Sequence, residues 1–286
     1  MVSIGQLQPG QIAVLGVPFD KQSSYLRGPA LAPARIRESL ACDSANMWTE
    51  NGIDLAKEER WNDVGDLAFK DDQTAFDEIE DTVDRLLAKE QRVISLGGDH
   101  SIAYPILKAY ARAYPALTIL QLDAHPDLYD ELDGNRHSHA CPFARIMEEK
   151  LAARLVQVGI RTITGHQKQQ AQRFGVEVHE MSAGSLPALN LTGPVYLSLD
   201  IDCLDPAFAP GVSHFEPGGM STREVLTIIQ RLEGHLVGAD LVEYNPQRDP
   251  TGVTGMVAAK LLKEILGRML ADEPMGIYKL SSSSHR

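Results

Sequence analysis

Cysteine is scarce in this sequence: Cys42, Cys141 and Cys203 are the only three in 286 residues. Three scattered thiols cannot build a disulfide framework, and they lack the spacing of a structural zinc site. A reducing compartment is the natural setting. Basic residues are also in deficit, 27 against 39 acids, which leaves a formal charge of −12. Phosphate recognition needs clustered Lys and Arg, so nucleic acid is excluded as an expected partner. Part of the acidity can belong to a carboxylate cluster whose charge is offset by bound cations. No run approaches the roughly 18 apolar residues that suggest a membrane span. Residues 1–11 hold no apolar stretch with a basic flank, as a signal peptide would. There is no internal repeat and no linker. These absences predict a cytoplasmic protein folded as one domain over residues 1–286, with a disordered tail at 281–286.

What is present is a regular alternation of apolar runs and amphipathic stretches. Strand-like runs fall at 12–19, 93–96, 117–123, 155–160, 176–181, 195–200 and 236–243, with a short edge candidate at 64–67. Helical patterns fall at 33–40, 71–88, 101–114, 142–153, 166–174, 222–232 and 252–270. In the stretch 71–88, Phe76, Ile79, Val83, Leu86 and Leu87 recur at helical spacing, with acids at the start where the helix dipole favours them. The central strands are continuously apolar rather than alternating, which marks parallel strands covered on both faces. The fold class is therefore α/β: a three-layer α/β/α sandwich with a mostly parallel, roughly eight-stranded sheet. In such sheets ligands bind beyond the carboxyl ends of the strands.

Three segments at those ends are rich in metal-ligand residues: Gly97-Gly98-Asp99-His100-Ser101, Asp123-Ala124-His125-Pro126-Asp127 and Asp200-Ile201-Asp202-Cys203-Leu204-Asp205-Pro206. His100, Asp123, His125, Asp127, Asp200 and Asp202 are the candidate ligands. Alternate residues of an extended segment point the same way, so each segment presents its ligands on one side. Any one segment alone reads as well as a loop, a turn or a cap; three coinciding at strand ends do not. Four carboxylates and two imidazoles carry more negative charge than one ion needs. Two divalent ions sharing carboxylates, roughly 3.5–4 Å apart, would satisfy the set and activate a water between them. Oxygen-rich ligation with some imidazole and no thiolate favours Mn²⁺.

At these residues the chain resembles the ureohydrolases, the arginases and agmatinases, whose three signature regions the segments match. The resemblance runs over nearly the whole chain. It is nearest to plant-type arginases through Tyr25-Leu26-Arg27-Gly28-Pro29-Ala30, Gln157-Val158-Gly159-Ile160-Arg161 and the stretches 135–146, 205–219 and 238–249. It implies an α/β/α sandwich around a parallel eight-stranded sheet, and two Mn²⁺ per subunit. His100 and Asp127 would hold one ion, His125 and Asp202 the other, and Asp123 and Asp200 would bridge them. Asp99 would support a ligand, and Asp205 would be a turn acid before Pro206. Glu243 would grip a substrate guanidinium through paired N–H donors, and His139 would be the proton shuttle. On sequence alone His137 competes with His139, and either could be an ordinary loop histidine. Glu243 could equally be salt-bridged to an arginine.

The implied reaction is hydrolysis of a small guanidino substrate to urea and an amine, by a cytoplasmic homotrimer or homohexamer. L-Arginine, giving L-ornithine, is the first expectation. Agmatine or another guanidino acid is the alternative, because Thr164 stands where animal-type arginases place a carboxylate for the α-amino group. Asn135 and His137 are expected to contact the far end of the substrate, and Tyr129 stands where those enzymes use an amide. Ala140 replaces a common glycine, as it does in plant-type arginases. Arg161 is a nearby cation more suited to a structural ion pair, and Cys203 is packing. A metal-bound, non-enzymatic oligomer on the same fold is the alternative from another class; a full ligand set with Glu243 argues against it.

Overall fold

The computed structural model describes residues 1–184 and 188–272, so the 281–286 tail lies outside it. The strands are β1 (Ile12–Gly16), β2 (Trp61–Asp66), β3 (Arg92–Leu96), β4 (Thr118–Leu122), β5 (Arg154–Ile160), β6 (Glu177–Glu180), β7 (Pro194–Asp200) and β8 (His235–Val242). They form one sheet in the order β2-β1-β3-β8-β7-β4-β5-β6, and every neighbouring pair is parallel. The expected edge strand is β2. The four central strands, β3, β8, β7 and β4, are buried nearly end to end, which is why their sequences read as unbroken apolar runs.

Helices α1 (Ala32–Leu40), α6 (Thr222–Gln230) and α7 (Val253–Ala271) cover one face. Helices α2 (Ala75–Leu87), α3 (Ala103–Ala113), α4 (Pro142–Glu148) and α5 (Gly165–Phe174) cover the other. Alternation along β4 shows the division: Leu120 and Leu122 enter the first core cluster, and Ile119 enters the second. The molecule is thus the expected three-layer sandwich.

Two helices differ from their sequence patterns at an end. Helix α2 begins at Ala75 rather than near residue 71, because Asp71 Oδ1 accepts hydrogen bonds from the Gln73 and Thr74 amides and closes a turn instead. Helix α4 stops at Glu148, short of residue 153. Lys150 takes a left-handed φ of 56°, and the Leu151 and Lys150 amides bond back to the Ile146 and Met147 carbonyls. That is a Schellman end built without glycine.

Register sets the site. Leu96 pairs with Leu241, Leu241 with Leu199, and Leu199 with Leu122, which makes one level row across the four central strands. One step further on stand Gly97, Val242, Asp200 and Asp123, where the four strands end. The ligand-bearing segments start at one height because their strands end at one height.

Candidate metal centre

His100 follows β3 at the start of a short 3-10 turn, with Asp99 as its cap. Asp123, His125 and Asp127 follow β4; Asp200 ends β7, and Asp202 lies in the 3-10 turn after it. All but His125 are buried. His100 Nδ1 lies 3.0 Å from Asp127 Oδ2, 3.1 Å from Asp123 Oδ2 and 3.3 Å from Asp200 Oδ2. His125 Nδ1 lies 2.9 Å from Asp202 Oδ2 and 3.5 Å from Asp123 Oδ1. Two groups result: His100, Asp123 and Asp200, and Asp123, His125 and Asp202, each with ligand atoms within 4.8 Å of one another. Asp123 belongs to both. Asp200 falls in the first alone, its Oδ1 accepting a bond from the Asp202 amide at 2.8 Å.

The residues fit metal ions. Ser198 Oγ donates to Asp240 Oδ1 at 2.8 Å, so it accepts from His100 Nε2–H at 2.9 Å. That fixes the tautomer and leaves His100 Nδ1, buried and without a hydrogen-bond partner, aimed at three carboxylates. A lone pair facing carboxylates is repulsive unless a cation lies between them. The carboxylates say the same. Burial and neighbouring Asp123 push Asp127 up to about 6. Burial, Asp202 and Asp123 push Asp200 well above the usual range. Without metal, only charged His100 and His125 would hold Asp123 low against its burial, and the same carboxylates push both rings' pKa up. Histidines alone do not balance this set, and divalent cations would.

Polar groups one layer below orient the ligands. Strand alternation puts Gln121 two residues before Asp123 and Ser198 two before Asp200, on the ligand side of the sheet. Gln121 Nε2 donates to Asp123 Oδ2 at 2.7 Å and to the His125 carbonyl at 3.1 Å, and Gln157 Nε2 donates to Gln121 Oε1 at 2.6 Å. Tyr196 donates its hydroxyl to Asp240 at 2.9 Å. None of these is visible from ligand motifs; the one signal is a polar residue inside an apolar run.

Glu243, just past β8, also has a left-handed backbone, at φ 64°, as does Asp127 at 50°. Such strained positions concentrate at functional sites. Glu243 Oε1 accepts from the His100 amide at 2.8 Å and lies 2.8 Å from His139 Nδ1. Its partner is thus a histidine rather than an arginine. Burial opposes the charge on His139, but Glu243, with help from Asp99 and Asp127, outweighs it and pushes His139 up to about 9. His139 Nε2 lies 2.8 Å from Ser24 Oγ. His137 is elsewhere: its ring is exposed and packs against Phe76 and Tyr104. Asn135 donates to Gln22 Oε1 at 2.7 Å and accepts from the His137 amide at 2.9 Å.

Asp99 supports the backbone around His100 rather than its ring, as the cap of the turn His100–Ile102. It orients no ligand ring; it accepts from Ser101, the Gln22 amide and the Ser23 hydroxyl, and so anchors the loop after β1. Among the described residues Arg161 makes no ion pair. Its guanidinium donates to the carbonyls of Asp202, Cys203, Leu204 and Glu216 and holds the loop after β7. Asp205 is a turn acid, accepting from the amides of Ala207, Gly218 and Gly219. Thr164 caps α5, and Tyr129 stacks on His166. Cys203 is fully buried in the core. Sequence reasoning missed His214, half-buried, whose ring lies 5.4 Å from that of His139 and 5.9 Å from that of His125.

A parallel sheet with imidazoles and carboxylates gathered past its central strands defines the class: an α/β protein with a site that could hold metal ions. The model of the Arginase family matches residues 10–267. The mitochondrial arginase 1 of Arabidopsis thaliana is 48% identical over 275 residues, 90% of this chain and 80% of that one. An agmatinase of Bacillus cereus is 33% identical over 270 residues, 91% of this chain and 92% of its own. Among solved structures, the arginase from Medicago truncatula superposes with a TM-score of 0.85 at 43% identity, over 91% of this chain and 87% of that one. The chain belongs to the arginase family, the ureohydrolases, and is a hydrolase of the arginase and agmatinase group.

Proposed function

We propose that this protein hydrolyses L-arginine to L-ornithine and urea with two Mn²⁺ per subunit. The observation that carries the reading is the pair of ligand groups sharing Asp123, with Glu243 and His139 beside them. In it His100 and Asp127 would hold one ion, His125 and Asp202 the other, and Asp123 and Asp200 would be shared between them. When bound, the ions supply a water acidified to near neutrality. Glu243 accepts paired N–H donors of the guanidinium and aims its carbon at the ligand set. Asp127 takes a hydrogen bond or a proton as water attacks that carbon. His139, charged at neutral pH through Glu243, protonates the leaving amine.

Arginine is favoured by the 48% identity to a plant arginase, against 33% to an agmatinase. Agmatine is the second reading, since Thr164 has its hydroxyl committed to the Gln167 amide and offers no carboxylate to an α-amino group. Asn135 and His137 remain our candidates for the far end of the substrate. A homotrimer or homohexamer in the cytoplasm completes the reading, checked by sedimentation velocity and by fractionation. The deciding experiment is urea release by Mn²⁺-loaded protein given L-arginine and agmatine side by side. Preference for arginine supports the assignment, preference for agmatine replaces the substrate, and urea from neither turns the search to other guanidino acids.

A further inference from the structure

His139 is almost wholly enclosed, and both of its ring nitrogens are engaged within the protein. On one side stands Glu243, an ionised carboxylate that can only accept, so the proton on Nδ1 stays where it is. The mobile proton is therefore the one on Nε2. Its partner is the hydroxyl of Ser24 at 2.8 Å, and Ser24 is exposed. A hydroxyl both donates and accepts, so it can serve either protonation state of the ring: it accepts from Nε2–H when His139 is charged and donates to bare Nε2 when it is neutral.

The loop carrying Ser24 is not placed there loosely. The Gln22 amide and the Ser23 hydroxyl bond to Asp99 Oδ2 at 2.9 and 3.2 Å, and the Gln22 carbonyl accepts the His139 amide at 3.1 Å. The three residues 22–24 are thus pinned to β3's end and to His139 itself. None of the three ligand-bearing segments includes residues 22–24. Their pinning also explains the position of Asp99, which holds the segment rather than a ligand.

We propose that Ser24 is the positioning residue through which His139 recovers its proton from solvent. The inference rests on His139 being the shuttle. As the leaving amine displaces Ser24 from Nε2–H and takes that proton, Nε2 is left bare. Ser24 then passes its hydroxyl proton to Nε2 and takes one from water or a buffer acid, which ends as its conjugate base. One proton enters from solvent and one leaves with the amine in each turnover.

The test compares Ser24→Ala, Ser24→Thr and His139→Ala in the metal-loaded enzyme, measuring urea release at low buffer concentration. Metal content, KM and the solvent deuterium isotope effect are measured alongside. Ser24→Ala should lower kcat on the order of ten-fold, with KM and metal content unchanged and a larger isotope effect. Small acidic buffers should restore its rate, and Ser24→Thr should come within about two-fold of the wild type because it keeps the hydroxyl. If His139→Ala slows turnover while Ser24→Ala retains kcat, or changes only KM, the relay is wrong and the shuttle stands. An unimpaired His139→Ala would remove the shuttle itself.

Discussion

Asp123 stands between the two histidines, with Oδ2 3.1 Å from His100 Nδ1 and Oδ1 3.5 Å from His125 Nδ1. Among the described residues it is the one that both ligand groups contain, so its loss should cost more than the removal of a ligand on one side. Asp123→Ala is expected to empty both sites, and Asp202→Ala chiefly the one holding His125. Metal content by mass spectrometry after desalting checks this, and full content in Asp123→Ala would refute the assignment. His139 invites a second prediction. Its folded pKa, about 9, lies above its ordinary value of 6.5. A raised value means that the charged ring stabilises the fold fully below about 6.5 and loses that contribution as pH rises through about 9. His139→Ala should therefore destabilise the protein more near pH 6 than near pH 10. Urea melts of the two proteins at both pH values measure the difference, and an equal cost at both would mean that Glu243 does not hold the ring charged. The sequence could name His137 and His139 but not rank them, since a loop has no period. What separates them is their neighbours, Phe76 and Tyr104 for one and Glu243 for the other.

Elements end where they do for local reasons with consequences for the site. Gly98 closes β3 against the loop after β1: a Cβ there would lie 1.6 Å from the Phe19 carbonyl oxygen. Backbone cannot yield as a flexible side chain can. Gly98→Ala should cost about 3 kcal/mol or more, read as a lower thermal midpoint, and should weaken metal binding through the displaced His100. A stable, fully loaded variant would show that the loop can move. Arg161 fastens the loop after β7 by carbonyls alone. Arg161→Leu should leave the circular dichroism unchanged and weaken the ion held by Asp202 more than that held by His100. Equal affinity at both would mean that Arg161 does not support Asp202. Strands β3, β4, β7 and β8 were legible because burial on both faces writes an unbroken apolar run. The ends of α2 and α4 were not, because a side-chain turn at Asp71 and a left-handed Lys150 carry no periodic signal.

Over the whole molecule, four carboxylates gathered in the interior should make a metal-free fold weaker than a metal-loaded one. Ions that bind only the folded state stabilise it by about 2.7 kcal/mol per site at a hundred-fold excess over Kd. Chelation should therefore lower the thermal midpoint without loss of helix or sheet signal, and added Mn²⁺ should restore it. A midpoint indifferent to chelator would count against a resident metal. If the proposed two divalent ions are bound, they would offset part of the formal charge of −12.

The sequence by itself determined the layers, the parallel character of the sheet and the identity of the candidate ligands. Those properties are written locally, in the period of apolar residues and in alternate positions at strand ends. It did not determine strand order. Only the tertiary structure decided that β7 and β8, last in the chain, insert between β3 and β4. That insertion brings Asp200 and Glu243 level with His100 and Asp123, which are far from them in sequence. It also sets Ser24 on His139 and Ser198 under His100. Such contacts depend on the register of strands distant in the chain, and no pattern of neighbouring residues records it.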